Sequence, residues 1–279
     1  MTRLTEIQRH LASMGELQDI VGAMRSLAGM RVREALGAQA GVRRYADAMA
    51  AAIGAAQLFL PGRPAAGEAP GRRILLVFAA EHGFVGGFND RILEAVESTL
   101  AARDLLFVMG SRGASLALER GRSLEWYRPM PSRAAGAPDA ARALAAVLYG
   151  RIAHGAVSRI LLLFARYRQG STAAIEHRLL LPLDLQALSS GPRRDAPLHN
   201  LEPGILVEKL VAEYVFALLT EAAIESIASE NAARFAAMES AHDNVGRKLE
   251  QLRQAGRQAR QDEITTELLD LVTGVEAQR

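Results

Sequence analysis

Cysteine is absent from the 279 residues. That absence excludes disulfides, thiolate metal sites and thiol redox switching, and it fits a reducing compartment. Lysine is nearly absent, since Lys209 and Lys248 are the only two, so arginine carries almost all of the positive charge. A Walker-type phosphate loop needs Gly-Lys-Ser or Gly-Lys-Thr, and neither lysine follows a glycine or precedes a hydroxyl residue, so the chain has no such ATP site. An excess of one charge is lacking too. With 33 basic and 31 acidic residues the formal charge is +2, and nothing in that balance demands a nucleic acid or an anionic membrane. No apolar run approaches the roughly 18 to 20 residues of a spanning helix. The first ten residues carry Arg3, Glu6 and Arg9 with no apolar segment behind them, so a secretory signal is not expected. The expectation is a soluble protein that can work beside a membrane. The histidines His10, His82, His154, His177, His199 and His242 are scattered at no ligand spacing, so a metal site is not expected.

What is present is apolar side chain, 49% of the total, enough for a sizeable core. Leu4, Ile7, Leu11 and Met14 are spaced three, four and three apart, and Leu17, Ile20, Met24 and Leu27 continue after a slip in phase. We therefore expect a helix over 1–58. A linker rich in Pro, Gly and Ala follows from Pro61 to Gly71. Short apolar runs then alternate with amphipathic stretches, as in an α/β layer fold over 72–183. Strands are expected at Ile74 to Ala79, Leu105 to Met109, Ile160 to Ala165 and Ala173 to Leu181, with helices near 89–102, 112–120 and 138–154. A second loop, Asp184 to Pro203, closes this domain.

The segment 204–279 has the strongest period. From Leu210 the positions Tyr214, Ala217, Glu221, Ile224, Ala228, Asn231, Phe235, Met238, His242, Val245, Leu249 and Leu252 alternate by four and three without a break, the pattern of a left-handed coiled coil. Some 70 helical residues span about 105 Å, too long to fold against the α/β domain alone. The natural partner is the N-terminal helix, and since both helices join one domain they must run antiparallel. Facing positions then add to about 262, which leaves the last residues as a lone helix carrying Ile264, Leu268, Leu269, Leu271, Val272 and Val275. The polar seam residues Glu221, Asn231 and His242 are read as fixing register. Gly15, Gly22 and Gly29 recur every seven residues, and close approach of another surface is the preferred reason. Arg247, Lys248, Arg253, Arg257 and Arg260 make the helix basic before its tip.

Gly83-Phe84-Val85-Gly86-Gly87 follows a strand and precedes a helix, where backbone amides can hold phosphate. It is not the dinucleotide fingerprint, and a tight structural turn is the favoured reading. Glu81 and His82 beside it lack a nucleophile or a third orienting group, so catalysis is not expected.

Several stretches together resemble the gamma subunit of F-type ATP synthases. The most specific is Glu225-Ser226-Ile227-Ala228-Ser229-Glu230-Asn231-Ala232-Ala233-Arg234 with Met238 beyond it, then Ala259-Arg260-Gln261, Ile264-Thr265, Glu267-Leu268 and Val272-Thr273-Gly274. Glu6-Ile7, Ala23-Met24, the glycine loop through Asn89, and Leu180-Leu181-Pro182-Leu183 support it in family order. There are departures. Leu17-Gln18-Asp19-Ile20-Val21 stands where the family has Thr-Gln-Lys-Ile-Thr, and Arg31-Val32-Arg33 replaces a Lys-Leu-Arg. Glu81-His82-Gly83-Phe84-Val85 replaces Asp-Arg-Gly-Leu-Cys. In these the chain resembles the alternate, N-type branch more than the housekeeping enzyme.

The resemblance implies a fold with a long antiparallel coiled coil of N- and C-terminal helices and a central Rossmann-like α/β domain. It implies a central-stalk rotor with no chemistry of its own and no cofactor, coupling ion translocation to ATP synthesis or hydrolysis. The implied partners are ATPase alpha and beta subunits, a small epsilon-type subunit and the membrane c-ring, with no nucleic acid, in a complex on the cytoplasmic face of the bacterial inner membrane. The shaft and tip contacts it implies are Met24, Arg260, Gln261, Ile264, Thr265, Glu267, Leu268, Leu271 and Val272. The rival readings are a coiled-coil scaffold and a small phosphate-binding α/β protein.

Overall fold

The computed structural model describes residues 3–60, 71–184, 188 and 198–276, with side chains as far as 269. Of the two loops expected at 61–71 and 184–203, residues 61–70, 185–187 and 189–197 lie outside the described residues. The chain forms two compact units, one of residues 28–234 and one of residues 1–27 with 235–279. Helix α1 (Arg3–Ala56) and the last helix, α5 (Pro203–Glu276), each contribute to both.

In the larger unit a five-stranded sheet has the order β3-β2-β1-β4-β5. Its strands are β1 (Arg72–Phe78), β2 (Leu105–Met109), β3 (Trp126–Arg128), β4 (Val157–Arg166) and β5 (Ala174–Leu181). All pairs are parallel except β4 with β5. The helices between them are α2 (Phe88–Thr99), α3 (Ser111–Glu119) and α4 (Ala137–Ala153). One face of β1, with Ile74, Leu76 and Phe78, packs on Leu144 and Leu148 of α4, on Ala35 of α1 and on Leu219 and Ala223 of α5. The other, with Leu75 and Val77, packs on Phe88, Ile92 and Val96 of α2. Cover on both faces is why β1 reads as an unbroken apolar run and not as an alternation. The sequence reading misses β3, a three-residue edge strand too short to carry a period. It also stops β4 short, because Val157 to Arg159 mix polar and apolar residues. At the α3 entry Gly110 has φ of +116°, and a Cβ on Gly113 would collide with the Ala79 side chain, so α3 sits directly on the end of β1.

In the smaller unit the two helices pair antiparallel. Ile7 Cγ2 lies 3.4 Å from where a Gly256 Cβ would be, Gln18 faces Gly246, and Arg25 bridges Glu239 at 3.1 Å. These pairs add to 263 or 264, within half a helical turn of the expected register. The expected slip in phase does not occur. Burial along α1 follows Ile7, Leu11, Met14, Gln18, Val21, Arg25 and Ala28 in steps of four and three, and Leu17, Ile20 and Leu27 are 41%, 58% and 43% exposed. Runs of large apolar residues suggest a shift at Leu17, whereas the buried stripe keeps the four-three period begun by Ile7, Leu11 and Met14 and so passes through Gln18, Val21, Arg25 and Ala28. On α5 the seam from Met238 through Val245, Leu249 and Leu252 is buried or half-buried, but Phe235 is 40% exposed.

Candidate functional site

Between Ala217 and Asn231 every residue of α5 is buried. That stretch is enclosed by the sheet and α1, as a helix buried on all sides must be. It nevertheless carries Glu221, Glu225, Glu230 and Asn231, with Arg234 a turn later, so each charge needs a partner.

The partners come from the C-terminal ends of the parallel strands. After leaving β1 the chain builds outward to β2 and β3, then returns to β4 on the other side of β1. The carboxyl ends of β1 and β4 are thus the topological switch point, where open α/β sheets usually hold ligands. Here α5 lies across it. Ser229 Oγ donates to Ala165 O at 2.9 Å, Glu225 accepts from Tyr167 N at 3.1 Å, and Glu230 accepts from Glu81 N at 3.1 Å and His82 N at 3.4 Å. Arg234 donates to Glu230 at 2.6 Å and to His82 O and Gly83 O at 3.2 Å. The amides after β1, which in a phosphate site would face an anion, face the Glu230 carboxylate.

Glu81 is occupied as well. Its carboxylate accepts from Ser111 N and Oγ, both at 2.9 Å, and from Met130 N at 2.7 Å, so it caps α3. His82 Nε2 lies 3.1 Å from Ser132 Oγ. Among the described residues no group of three His, Asp or Glu is placed to hold a metal.

Beside the socket is a second cluster. Arg43 of α1 reaches Glu221 at 3.2 Å and Glu225 at 2.5 Å, and Gln39 also donates to Glu225. Arg166 of β4 bridges Glu176 at 2.9 Å and Glu225 at 3.5 Å. Arg178 of β5 bridges Glu221 at 2.6 Å and Glu176 at 2.7 Å. Burial works to lower the Arg178 pKa, but its bonds and charge attraction to Glu221 and Glu176 outweigh this and raise it above the ordinary value. The arginines border an open cavity of about 550 Å³ with Asp47, Asp184 and Tyr214. Its wall carries both signs of charge.

A family model described as ATP synthase matches residues 3–278. The chain belongs to the gamma-chain family of F-type ATP synthases. The gamma chain of Frankia casuarinae is 30% identical over 99% of this chain and 97% of its own. That of Paracoccus denitrificans is 28% identical over 99% and 100%. A chain of the Euglena gracilis mitochondrial ATP synthase OSCP/F1/c-ring assembly aligns with a TM-score of 0.67 at 12% identity, over 99% of this chain and 94% of that one. One from the Tetrahymena thermophila central stalk/c-ring gives 0.57 at 19%, over 80% and 99%.

In this gamma-family chain the residues named for shaft and tip fall in the smaller unit. Met24 is half-buried, and Arg260, Gln261, Thr265 and Glu267 are exposed. Ile264 and Leu268 are 50% and 57% exposed. Thr265 Oγ1 donates back to Gln261 O at 2.8 Å. The side chains of Leu271 and Val272 lie outside those described. His242 is half-buried, with Nδ1 3.9 Å from Asp243. Glu221 and Asn231 are in the larger unit, Glu221 in the ion cluster and Asn231 donating to Ile227 O and accepting from Arg234. A methyl on Gly15 or Gly22 would meet nothing within 4 Å. Sequence reasoning missed Arg43, Arg166 and Arg178. The available signal was Glu221, Glu225 and Glu230 in a stretch too apolar to leave carboxylates unpaired.

Proposed function

We propose that this chain is the central-stalk rotor subunit of a rotary F-type ATP synthase or ATPase. It couples ion translocation through a membrane ring to ATP synthesis or hydrolysis in a catalytic head. The observation that carries this reading is membership of the gamma-chain family along nearly the whole chain. The chain performs no bond chemistry. Glu230 and Glu81 occupy the amides that a small phosphate-binding protein would use, which weighs against that rival.

The partners are alpha and beta subunits around the paired helices, and an epsilon-type subunit and the c-ring beside the sheet-bearing unit. Contacts to the catalytic ring run through Met24, Arg260, Gln261, Ile264, Thr265, Glu267, Leu268, Leu271 and Val272. The exposed Leu17, Ile20, Leu27, Ile264 and Leu268 support this, since large apolar side chains grouped on the surface of α1 and α5 call for cover from another molecule. None of the described helices is long and apolar enough to cross a membrane, in keeping with peripheral attachment at the cytoplasmic face of a bacterial inner membrane. The acid Asp19 in place of a customary lysine supports a place on the N-type branch.

The test is co-expression of the chain with its cognate ATPase subunits. Alpha and beta subunits should copurify with it, and vesicles bearing the complex should build an ion gradient on ATP addition, while the chain alone hydrolyses no ATP. Turnover by the chain alone, or a gradient undiminished when the chain is omitted, would overturn the reading.

A further inference from the structure

The socket and the ion cluster form one continuous fastening. Along α5, Glu221, Glu225 and Ser229 succeed one another at intervals of about one turn, and Glu230 and Arg234 repeat that spacing from the next residue on. Each is bonded to the sheet or to the loop after β1. The same Glu221 and Glu225 carboxylates hold Arg43, so α1 is tied in at the same point. Four elements, α1, α5, β4 and β5, meet on two carboxylates whose side chains are 7% and 0% exposed.

Stability alone does not call for this arrangement. Burying charges carries a large desolvation penalty, and apolar residues of similar volume in such places stabilise a fold as well or better. What apolar packing lacks is direction, because hydrophobic contact is non-directional and a smooth helix can turn or slide in its groove. Charge-assisted bonds fix angle and distance, and a network of them resists rotation about the helix axis.

We propose that this network is a torque clamp. Glu225, Glu230 and Arg234 of α5 occupy the switch-point crevice as a socket, Glu221 with Arg43 of α1 forms the cluster beside it, and together they lock both helices to the sheet. Twisting force passes between helices and sheet through these bonds. The proposal rests on the rotor reading above and assigns the switch-point crevice of the α/β domain a mechanical role. These are positioning residues. They touch neither nucleotide nor transported ion.

The test uses the assembled complex in sealed vesicles and reads how many fold an ionophore, by collapsing the gradient, speeds ATP hydrolysis. Two variants loosen the clamp. Glu225→Gln removes the charge shared by Arg43 and Arg166, and Arg43→Gln removes the charged, partly exposed α1 tie while the Gln39 bond to Glu225 and the bridges of Arg178 and Arg166 stay in place. Leu219→Ala is the control, a fully buried apolar residue of the same helix that loses packing but no charge. The expected result is that both clamp variants hydrolyse ATP while the ionophore stimulation falls towards unity, more for Glu225→Gln. Leu219→Ala keeps its stimulation. Wild-type stimulation in assembled Arg43→Gln and Glu225→Gln complexes would overturn the clamp, and so would an equal loss in Leu219→Ala at the same drop in melting temperature. Should Glu225→Gln fail to assemble, Arg43→Gln decides alone. Absence of any ATP-driven gradient in wild-type vesicles would instead overturn the rotor reading.

Discussion

Replacing Arg234 with methionine should destabilise the larger unit far more than an average substitution. Arg234 and Glu230 are 7% and 6% exposed as side chains and stand 2.6 Å apart. Removing the guanidinium leaves the Glu230 carboxylate buried with only the Glu81 and His82 amides for company, and takes a donor from the carbonyls of His82 and Gly83. Breaking a buried pair on one side costs about 3–5 kcal/mol. For a unit of roughly 200 residues each kcal/mol moves the melting temperature by about 2–4 °C, so a fall of about 6–20 °C is expected. The assay is thermal and urea unfolding of the purified chain followed by circular dichroism. A second variant isolates the cause. In Glu230→Gln/Arg234→Met the amide oxygen still accepts from the loop but no charge is stranded, so the double variant should recover more than about 1 kcal/mol of the loss. A double variant weaker than Arg234→Met, or a single variant within about 1 kcal/mol of wild type, would refute the argument.

Cysteines at Ile7 and Gly256 should oxidise to a disulfide, because the Cγ2 of Ile7, which a sulfur would replace, lies 3.4 Å from the Cβ position of Gly256. Failure to cross-link in non-reducing electrophoresis would remove the antiparallel register. Ile264→Glu with Leu268→Glu should leave the helix content of the isolated chain unchanged, since both are half-exposed, yet weaken assembly with alpha and beta subunits; lost ellipticity with normal assembly would contradict it. Gly113→Ala should cost about 1–3 kcal/mol through overpacking against Ala79, and an unchanged urea midpoint would count against the tight α3 to β1 contact. Glu202, whose pKa is lowered by bonds from the backbone of Gly204 and Ile205 at the start of α5, should add stability at neutral pH. That increment is present above the unfolded carboxylate pKa and lost as pH falls through the lower folded value. Glu202→Ala should therefore be less stable than wild type at neutral pH and indistinguishable in strong acid, and a difference that persists in acid would sink the assignment.

Long periods were legible in the sequence because a helix repeats the same geometry many times. The four-three spacing from Met238 to Leu252, the strands at Ile74, Leu105 and Ile160, and the alternation of strand and helix all depend on local chain direction and side-chain polarity, which neighbours in sequence determine. The α1 seam was misread at Leu17 and Ile20 for the opposite reason. Which face is buried depends on the partner helix, which covers Gln18, Val21 and Ala28 while Leu17, Ile20 and Leu27 turn outward. β3 exists only because β2 offers it an edge. The socket depended wholly on tertiary structure. Nothing local in Glu221, Glu225 and Glu230 says that Arg43, Arg166 and the amides after β1, up to 182 residues away in the chain, will converge on them. The sequence could state that buried carboxylates need partners, and only the folded sheet, by placing its switch point beneath α5, decided which.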